Sequence, residues 1–394
     1  MSNSFHIEVA SIQKNHKGER ICGDVFLSKK VKEEKRTVVV LSDGMGHGVK
    51  ASLLATLTAT MALNFTAEHK DVHKIAEIIM STLPVCSERK ISYATFSIVD
   101  IEENGQTTIM NYDNPDILIF RGNEVFEPEW QCIILDTKEH NAKEIKVCSF
   151  HAQKEDRIVM MSDGITQSGL GKGKYLLGWG EDNVKSLLLS TIKDRPNISA
   201  NKLSTLLVNK AHSNDGYQAK DDISAVSIYY REPRKLLLCS GPPYEKEKDS
   251  QLAEIVKTFP GKKIISGGTT ADIIAKHLNI PVVDSLEFDD PELPPISSME
   301  GIDLVTEGIL TLSKVAGILE KHSIRTELGK GPADKIVKLL LESDEIRIIT
   351  GTAINVAHQD PNLPVELEIR RSVTKKIAGF LEDKFLKEVH LEFI

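Results

Sequence analysis

RTVVVLSDGMGHGVKASLLATLTATMALNF, Arg36 to Phe65, is the stretch on which the reading of the fold turns. Its opening run, Arg36–Val40, is β-branched and continuously apolar, which fits a strand buried on both faces. Its closing run, Val49–Phe65, has helical spacing and neither Gly nor Pro, so a helix is expected there. The octet between them, LSDGMGHG at Leu41–Gly48, is therefore a strand-to-helix turn. Gly44, Gly46 and Gly48 permit positive φ and close approach of backbone to a ligand. Asp43 stands where the strand ends, either as an ordinary turn residue or as part of a metal or phosphate site.

Outward from this octet the first half reads mostly as strands with a helical layer inserted. Strands are expected at 5–13, 37–42, 93–101, 107–112, 117–122 and 124–127, with Gly105 and Gly122 marking hairpin turns. Helices are expected at 49–66 and about 71–83, and two more within 185–212. DRIVMMSDGI, Asp156–Ile165, repeats the opening device: an apolar strand followed by Ser-Asp-Gly. DDISAVSIYY, Asp221–Tyr230, opens a further strand with two acids. The charged, Pro-containing REPRK at 231–235 is read as a linker between domains at 1–231 and 236–394.

Composition narrows the classes. The 394 residues are long enough for two or three domains, and 41% hydrophobic with 27% charged residues is ordinary for a globular protein. A net charge of −8 argues against non-specific nucleic-acid binding. The apolar runs are too short to cross a bilayer, and no basic segment followed by an apolar core opens the chain, so a cytoplasmic, non-membrane protein is expected. The five cysteines are scattered and form no CxxC pair, as expected for reduced thiols and not for a cysteine metal site.

Acids recur at strand edges: Asp24 in ICGDVF, Asp43, Asp163, and Asp221 with Asp222. A single acid there is usually solvated or caps a turn. Four such places in one strand-rich region point instead to hard divalent cations, which take oxygen ligands. Two cations can activate water and neutralise a phosphoryl group.

The order GD, SDGMGHG, SDG, DDIS resembles the metal-dependent serine/threonine protein phosphatases of the 2C type, and within them the SpoIIE/RsbU-like branch, over about residues 5–230. Tyr93–Val125, with its Asn-Pro turn and late Arg-Gly, is similar to that branch's central hairpins. The resemblance implies an α+β sandwich of two antiparallel sheets flanked by helices. It implies two Mn²⁺ or Mg²⁺ ions, with Asp43 bridging them, the Gly44 carbonyl on the second, and Asp163 and Asp221 on the first. Asp24 would sit behind or touch the second ion through water, and Asp222 stays open as the alternative to Asp221. Phosphoserine or phosphothreonine on a protein, an anti-sigma-factor antagonist among the branch's substrates, would be hydrolysed by a metal-activated water with no covalent phospho-enzyme. His47 is a candidate proton donor and Arg20 a candidate phosphate contact, each weighed against an ordinary turn or surface role. The branch also leaves a homodimer open, with the helix of 49–66 as a switch whose buried face would include Leu57. A scaffold or sensor with a degenerate site stays open beside the enzyme. Gly169–Gly180, with Lys172 and Lys174, departs from the pattern and reads as a solvated loop or a flap.

Beyond 236 the rhythm changes. KLLLC, KKIIS, IDLVT, EIRIIT and VELEI alternate with helical runs, which implies an α/β domain with a mostly parallel sheet. The turns at 239–243, 266–272, 306–309 and 350–353 are Gly- and Thr-rich, ordinary for turns and N-caps but also suited to a small anionic ligand. None is a GxGxxG or Walker motif. GGTTADIIAKHL and DLVTEGILTLSK resemble the tails of SpoIIE-type proteins of anaerobic bacteria.

Overall fold

The computed structural model describes residues 5–31, 33–68, 74–75, 77–79, 94–135, 143–171, 175–285, 289–323, 326–353 and 363–394. The chain divides into two compact units, Met1–Glu232 and Pro233–Ile394.

The first unit is built on two antiparallel sheets. One has the strand order β2 (Val25–Val31), β3 (Arg36–Ser42), β4 (Phe96–Ile101), β5 (Gln106–Tyr112), β9 (Lys143–His151), β8 (Gln131–Leu135). The other has β1 (His6–Lys14), β11 (Ile223–Arg231), β10 (Asp156–Met161), β6 (Leu118–Arg121), β7 (Glu124–Val125). Strand β3 shows why its run is apolar without alternation. Val39 and Leu41 pack between the sheets with Val99, Ile158, Met160 and Ile228. Val38 and Val40 pack outward, in one cluster with Ala59 and Ala62 of α1 (Gly48–Glu68). A strand covered on both faces has no polar face to alternate with, and each fully buried Val or Leu contributes about 1.5–3 kcal/mol. The outer face of the second sheet is covered by α2 (Glu181–Asp194) and α3 (Ala200–Asn214) through Leu188, Leu203 and Leu207. The layers therefore run helix, sheet, sheet, helix.

Three strands of this unit, β2, β8 and β9, were not legible, because VFLSKKV, QCIIL and KEIKVCSFH each have only one apolar face or lie at an edge. The helix expected at 71–83 falls largely outside the described residues, as do Lys172 and Lys174. Leu57 corrects an expectation: it is 48% exposed. The covered face of α1 is Ala51, Ala55, Thr58, Ala59, Ala62 and Thr66, small residues that let the helix lie close to the sheet.

In the second unit the sheet order is β14 (Val282–Asp284), β15 (Ser297–Met299), β16 (Ile302–Thr306), β13 (Lys262–Ser266), β12 (Lys235–Ser240), β17 (Glu345–Thr350), β18 (Glu388–Phe393). From β16 through β13, β12 and β17 to β18 the neighbours are parallel, whereas β14 pairs antiparallel with β15 and β15 with β16. Helices α4 (Asp249–Thr258), α5 (Gly268–Leu278) and α6 (Ile309–Lys321) follow β12, β13 and β16. VELEI, Val365–Ile369, is not a strand: it lies in a helix spanning Leu363–Asp383. Its alternation also places Val365 and Ile369 four apart, and no turn residue separates it from the helical run that follows. The edge strand is EVHLEF instead.

Candidate active site

Strand pairing alone gathers the acids. Because β2 and β3 are antiparallel with Val25 opposite Ser42, Asp24 just before β2 faces the end of β3, where Asp43 follows. Because β10 and β11 are antiparallel with Met161 opposite Ala225, Asp163 just after β10 faces Asp221 and Asp222 just before β11. Each sheet thus delivers one strand end and one strand start to the same place.

Glycines allow these ends to touch. A Cβ on Gly44 would lie 2.1 Å from the carbonyl oxygen of Ala51 in α1, and one on Gly164 would lie 2.1 Å from the carbonyl oxygen of Asp222. A Cβ on Gly23 would lie 2.7 Å from Asp222 Oδ2. Gly44 therefore serves close approach, whereas Gly46 and Gly48 take positive φ, 94° and 74°. Serines stitch the same edge. Ser42 Oγ donates to the Thr95 carbonyl at 2.7 Å, Ser224 N–H donates to Ser162 Oγ at 3.0 Å, and Gln13 Nε2 donates to both the Asp24 carbonyl (3.1 Å) and Ser224 Oγ (3.0 Å).

The carboxylates are uncompensated. Asp24 and Asp222 are 3% and 2% exposed. Both oxygens of Asp24 and Oδ2 of Asp222 are buried without a hydrogen-bond partner. Among the described residues no Lys or Arg forms an ion pair with Asp24, Asp43, Asp163, Asp221 or Asp222. Burial, aided by Asp222, pushes Asp24 up to about 7. Burial and then Asp24, Asp163 and Asp221 hold Asp43 well above the usual carboxylate range. Burial and Asp221 push Asp163 up to about 6, and burial raises Asp221. Carboxylates buried together without counter-charge carry a penalty that divalent cations remove, and all-oxygen donors suit Mg²⁺ or Mn²⁺. The donor set fits such ions.

Asp221 and Asp222 divide the work. Asp221 acts electrostatically on Asp43 and Asp163. Asp222 acts on Asp24 instead, while its Oδ1 accepts the His16 backbone N–H at 2.9 Å. Asp163 Oδ2 accepts Gln167 Nε2 at 2.7 Å. His47 Nδ1 lies 2.9 Å from Glu19 Oε1, and its ring stacks on His16 with centroids 4.3 Å apart. Arg20 is exposed on the loop between β1 and β2. Gln13, His16, Glu19, Gln167 and Ser224 carry no motif of their own and were missed as contributors, apart from Ser224 as a place-holder in DDIS.

In the second unit the parallel strands end in Ser240, Ser266, Thr306 and Thr350, all 3% exposed or less. Helices α5 and α6 have Gly267 and Gly308 as N-cap residues, so neither is capped by a side chain. The hydroxyls of Thr270, Thr311 and Thr350 are buried without a partner.

Residues 33–231, about half of the chain, match the family model described as Stage II sporulation protein E (SpoIIE). A search of the curated proteins with this sequence finds no match. Among solved structures, the phosphatase domain of the cell fate determinant SpoIIE from Bacillus subtilis is similar at 17% identity, over 58% of this chain and 94% of that one, with a TM-score of 0.44. The RsbU and RsbW domains of Rv1364c from Mycobacterium tuberculosis are similar at 16% identity, over 64% and 67%, with a TM-score of 0.44. RsbX in complex with magnesium is similar at 20% identity, over 58% and 98%, with a TM-score of 0.41.

Proposed function

We propose a two-cation phosphoprotein hydrolase for this chain, which belongs to the SpoIIE family of metal-dependent serine/threonine protein phosphatases. The observation that carries the finer reading is the gathering, where strand ends of the two sheets meet, of five carboxylates with no ion pair among the described residues, Asp24 and Asp222 buried and Asp43, Asp163 and Asp221 half-buried. Asp43, the Gly44 carbonyl, Asp163 and Asp221 would hold two Mn²⁺ or Mg²⁺ ions, with Asp24 behind Asp43. Once bound, the ions supply Lewis-acid charge for the phosphoryl group and acidify water. The chain's own part is placement. Asp43 and Asp163, at the ends of strands from different sheets, fix the spacing of the centre. Asp222 anchors the His16 backbone and keeps the loop before β2 against the centre. Gln167 orients the Asp163 carboxylate. Arg20, exposed on that loop, would meet an incoming phosphate bidentately. His47, tied through one nitrogen to Glu19, keeps the other for a proton to the leaving oxygen.

The substrate class in this reading is a phosphoserine or phosphothreonine protein of bacterial signalling, an anti-sigma-factor antagonist among the candidates. A cytoplasmic setting accords with that. Phosphate release from a phosphoserine protein with Mn²⁺, by wild type and Asp43→Asn, tests it. Activity that needs the metal and disappears in Asp43→Asn is expected, and full activity in the variant would overturn the assignment.

A second reading concerns the unit from 233 onward. The uncapped starts of α5 and α6, with the unpartnered Thr270, Thr311 and Thr350 hydroxyls, favour a small anionic ligand at the carboxyl ends of the parallel strands. Calorimetric titration with inorganic phosphate tests it, and Thr270→Val should weaken binding. A homodimer, which the branch leaves open, is tested by sedimentation of the full chain.

A further inference from the structure

His16, Glu19 and His47 each offer one ligand atom, and these atoms all lie within 4.8 Å of one another. The three come from the loop after β1 and from the Gly-rich turn before α1. They are different residues from the acidic set, which contributes oxygen alone, although His16 and His47 lie near enough to act electrostatically on Asp221. From this cluster we infer that the chain holds a further metal site, for a late transition ion such as Zn²⁺, beside the phosphatase centre.

The chemistry selects the ion. Two imidazoles and one carboxylate are a common three-ligand set for Zn²⁺, leaving the fourth position to water. Imidazole nitrogen favours Zn²⁺, Co²⁺ or Ni²⁺ over Mg²⁺, which prefers oxygen. Two further observations point to a ligand. His16 Nδ1 is buried and has no hydrogen-bond partner, although an imidazole nitrogen out of water ordinarily has one. Gly48 has φ 74°, and a Cβ there would lie 2.6 Å from Glu19 Oε2, so the turn leaves room for that carboxylate. A surface pair such as Glu19 with His47 is worth about 0–1 kcal/mol by itself, too little to explain why two imidazoles are held face to face beside it.

The rings now stack with an interplanar angle of 7°. Nitrogen lone pairs lie in the ring planes, so one ring must turn for both to face a single ion. His47 is the one with room, its side chain 53% exposed. The site ties into the centre at two points. The His16 backbone N–H is held by Asp222, and His47 is four residues past Asp43. An ion bound here would fix the turn that carries Asp43 and occupy the nitrogen of His47. Zn²⁺ is thus a regulator that lowers turnover. Only this regulatory consequence rests on the phosphatase reading; the binding site does not.

The test uses the full chain, stripped of metal and then saturated with Mg²⁺ to fill oxygen sites. Co²⁺ is the probe, because a four-coordinate nitrogen-containing site gives intense visible d–d absorption and a six-coordinate oxygen site does not. The expected result is such absorption in wild type and in Asp43→Asn, with Co²⁺ affinity reduced at least about 10- to 100-fold in His16→Ala and Glu19→Gln, the loss that even a ligand's neighbour causes. Glu19→Gln changes a partly exposed side chain, so it reports on the site even where His16→Ala does not fold. Zn²⁺ added over saturating Mg²⁺ should lower phosphate release in wild type and need about tenfold more metal in Glu19→Gln. Absence of the visible bands, or bands lost in Asp43→Asn yet kept in Glu19→Gln, overturns the site. Equal Zn²⁺ sensitivity of wild type and Glu19→Gln overturns the regulation. Bands that persist in a chain without phosphatase activity would sink the proposed function and leave this site standing.

Discussion

The tripeptide Ser-Asp-Gly occurs in two turns that are built differently. At Ser42-Asp43-Gly44 the glycine lies against Ala51, only seven residues on, inside the helix that the turn itself begins. At Ser162-Asp163-Gly164 the glycine lies against Asp222, nearly sixty residues away, and a single helical turn, Asp163–Thr166, follows. The first turn is braced by its own continuation and also by the segment just before β4, where the Thr95 N–H donates to the Asp43 carbonyl at 2.9 Å and Ala94 bridges to Gly44; the second is braced by the start of β11. The same three residues therefore rest on a close neighbour in sequence in one place and only on a distant strand in the other. Asp43 is tied to α1 and β4, Asp163 to the Asp221–Asp222 pair.

The sharpest break in this comparison is Asp43→Asn. Removing the aspartate that neighbours Asp24, Asp163 and Asp221 should lower Mn²⁺-dependent phosphate release by more than about 100-fold, since even outer partners of metal ligands cost 10- to 100-fold. In EDTA the same variant should unfold at a higher temperature than wild type, because a buried repulsion is gone. Next come the glycines. Gly44→Ala and Gly164→Ala should each cost about 1–3 kcal/mol or more from overpacking. Gly164→Ala should weaken metal binding by displacing Asp222, whereas Gly44→Ala should do so by displacing α1, and the two separate in hydrogen exchange of α1 amides.

A pH series in EDTA sharpens the contrast between free and occupied acids. Asp24 and Asp163 have folded values raised to about 7 and about 6 from 3.8. A raised carboxyl favours the protonated form in the fold. Its contribution is therefore fully present below about pH 4 and lost as pH rises through 6 to 7. Metal-free wild type should thus lose stability relative to Asp24→Asn between pH 5 and 8, measured by chemical unfolding. Mn²⁺ should restore more stability at pH 8 than at pH 5, since protons compete with the ion. The smallest effect belongs to α1. Leu57→Ala, at an exposed position, should change stability by about 0.5 kcal/mol or less. Ala59→Leu, against the sheet, should cost about 1–3 kcal/mol. A large effect of Leu57→Ala on metal affinity would mean that the outer face of α1 meets something that holds the turn.

Much of the first unit was legible because its decisive features are local. An apolar strand, an acid and a glycine adjoin in sequence, so Asp43 and Asp163 announce themselves; the two acids before β11 do likewise. The edge strand β8 and its neighbour β9 were not legible, since one is five residues long and half-exposed and the other is broken by lysines, so neither shows a long apolar run. Val365–Ile369 was misread because five alternating residues satisfy both periods until the helix that contains them is seen whole. Leu57 was assigned to the wrong face because α1 is apolar nearly all round, and its alanines, not its leucines, meet the sheet.

By itself the sequence determined the strand-acid-glycine turns, the oxygen chemistry of their side chains and the change to alternating strands and helices after 235. Those follow from neighbours along the chain, where backbone geometry and periodicity act directly. Tertiary structure set what Asp221 and Asp222 each lie beside, which face of α1 is covered, and that His16, Glu19 and His47 meet. These depend on antiparallel registers joining residues more than two hundred positions apart, as Gln13 joins Ser224. No local pattern encodes such a contact, because its energy exists only once both sheets have closed around the shared core.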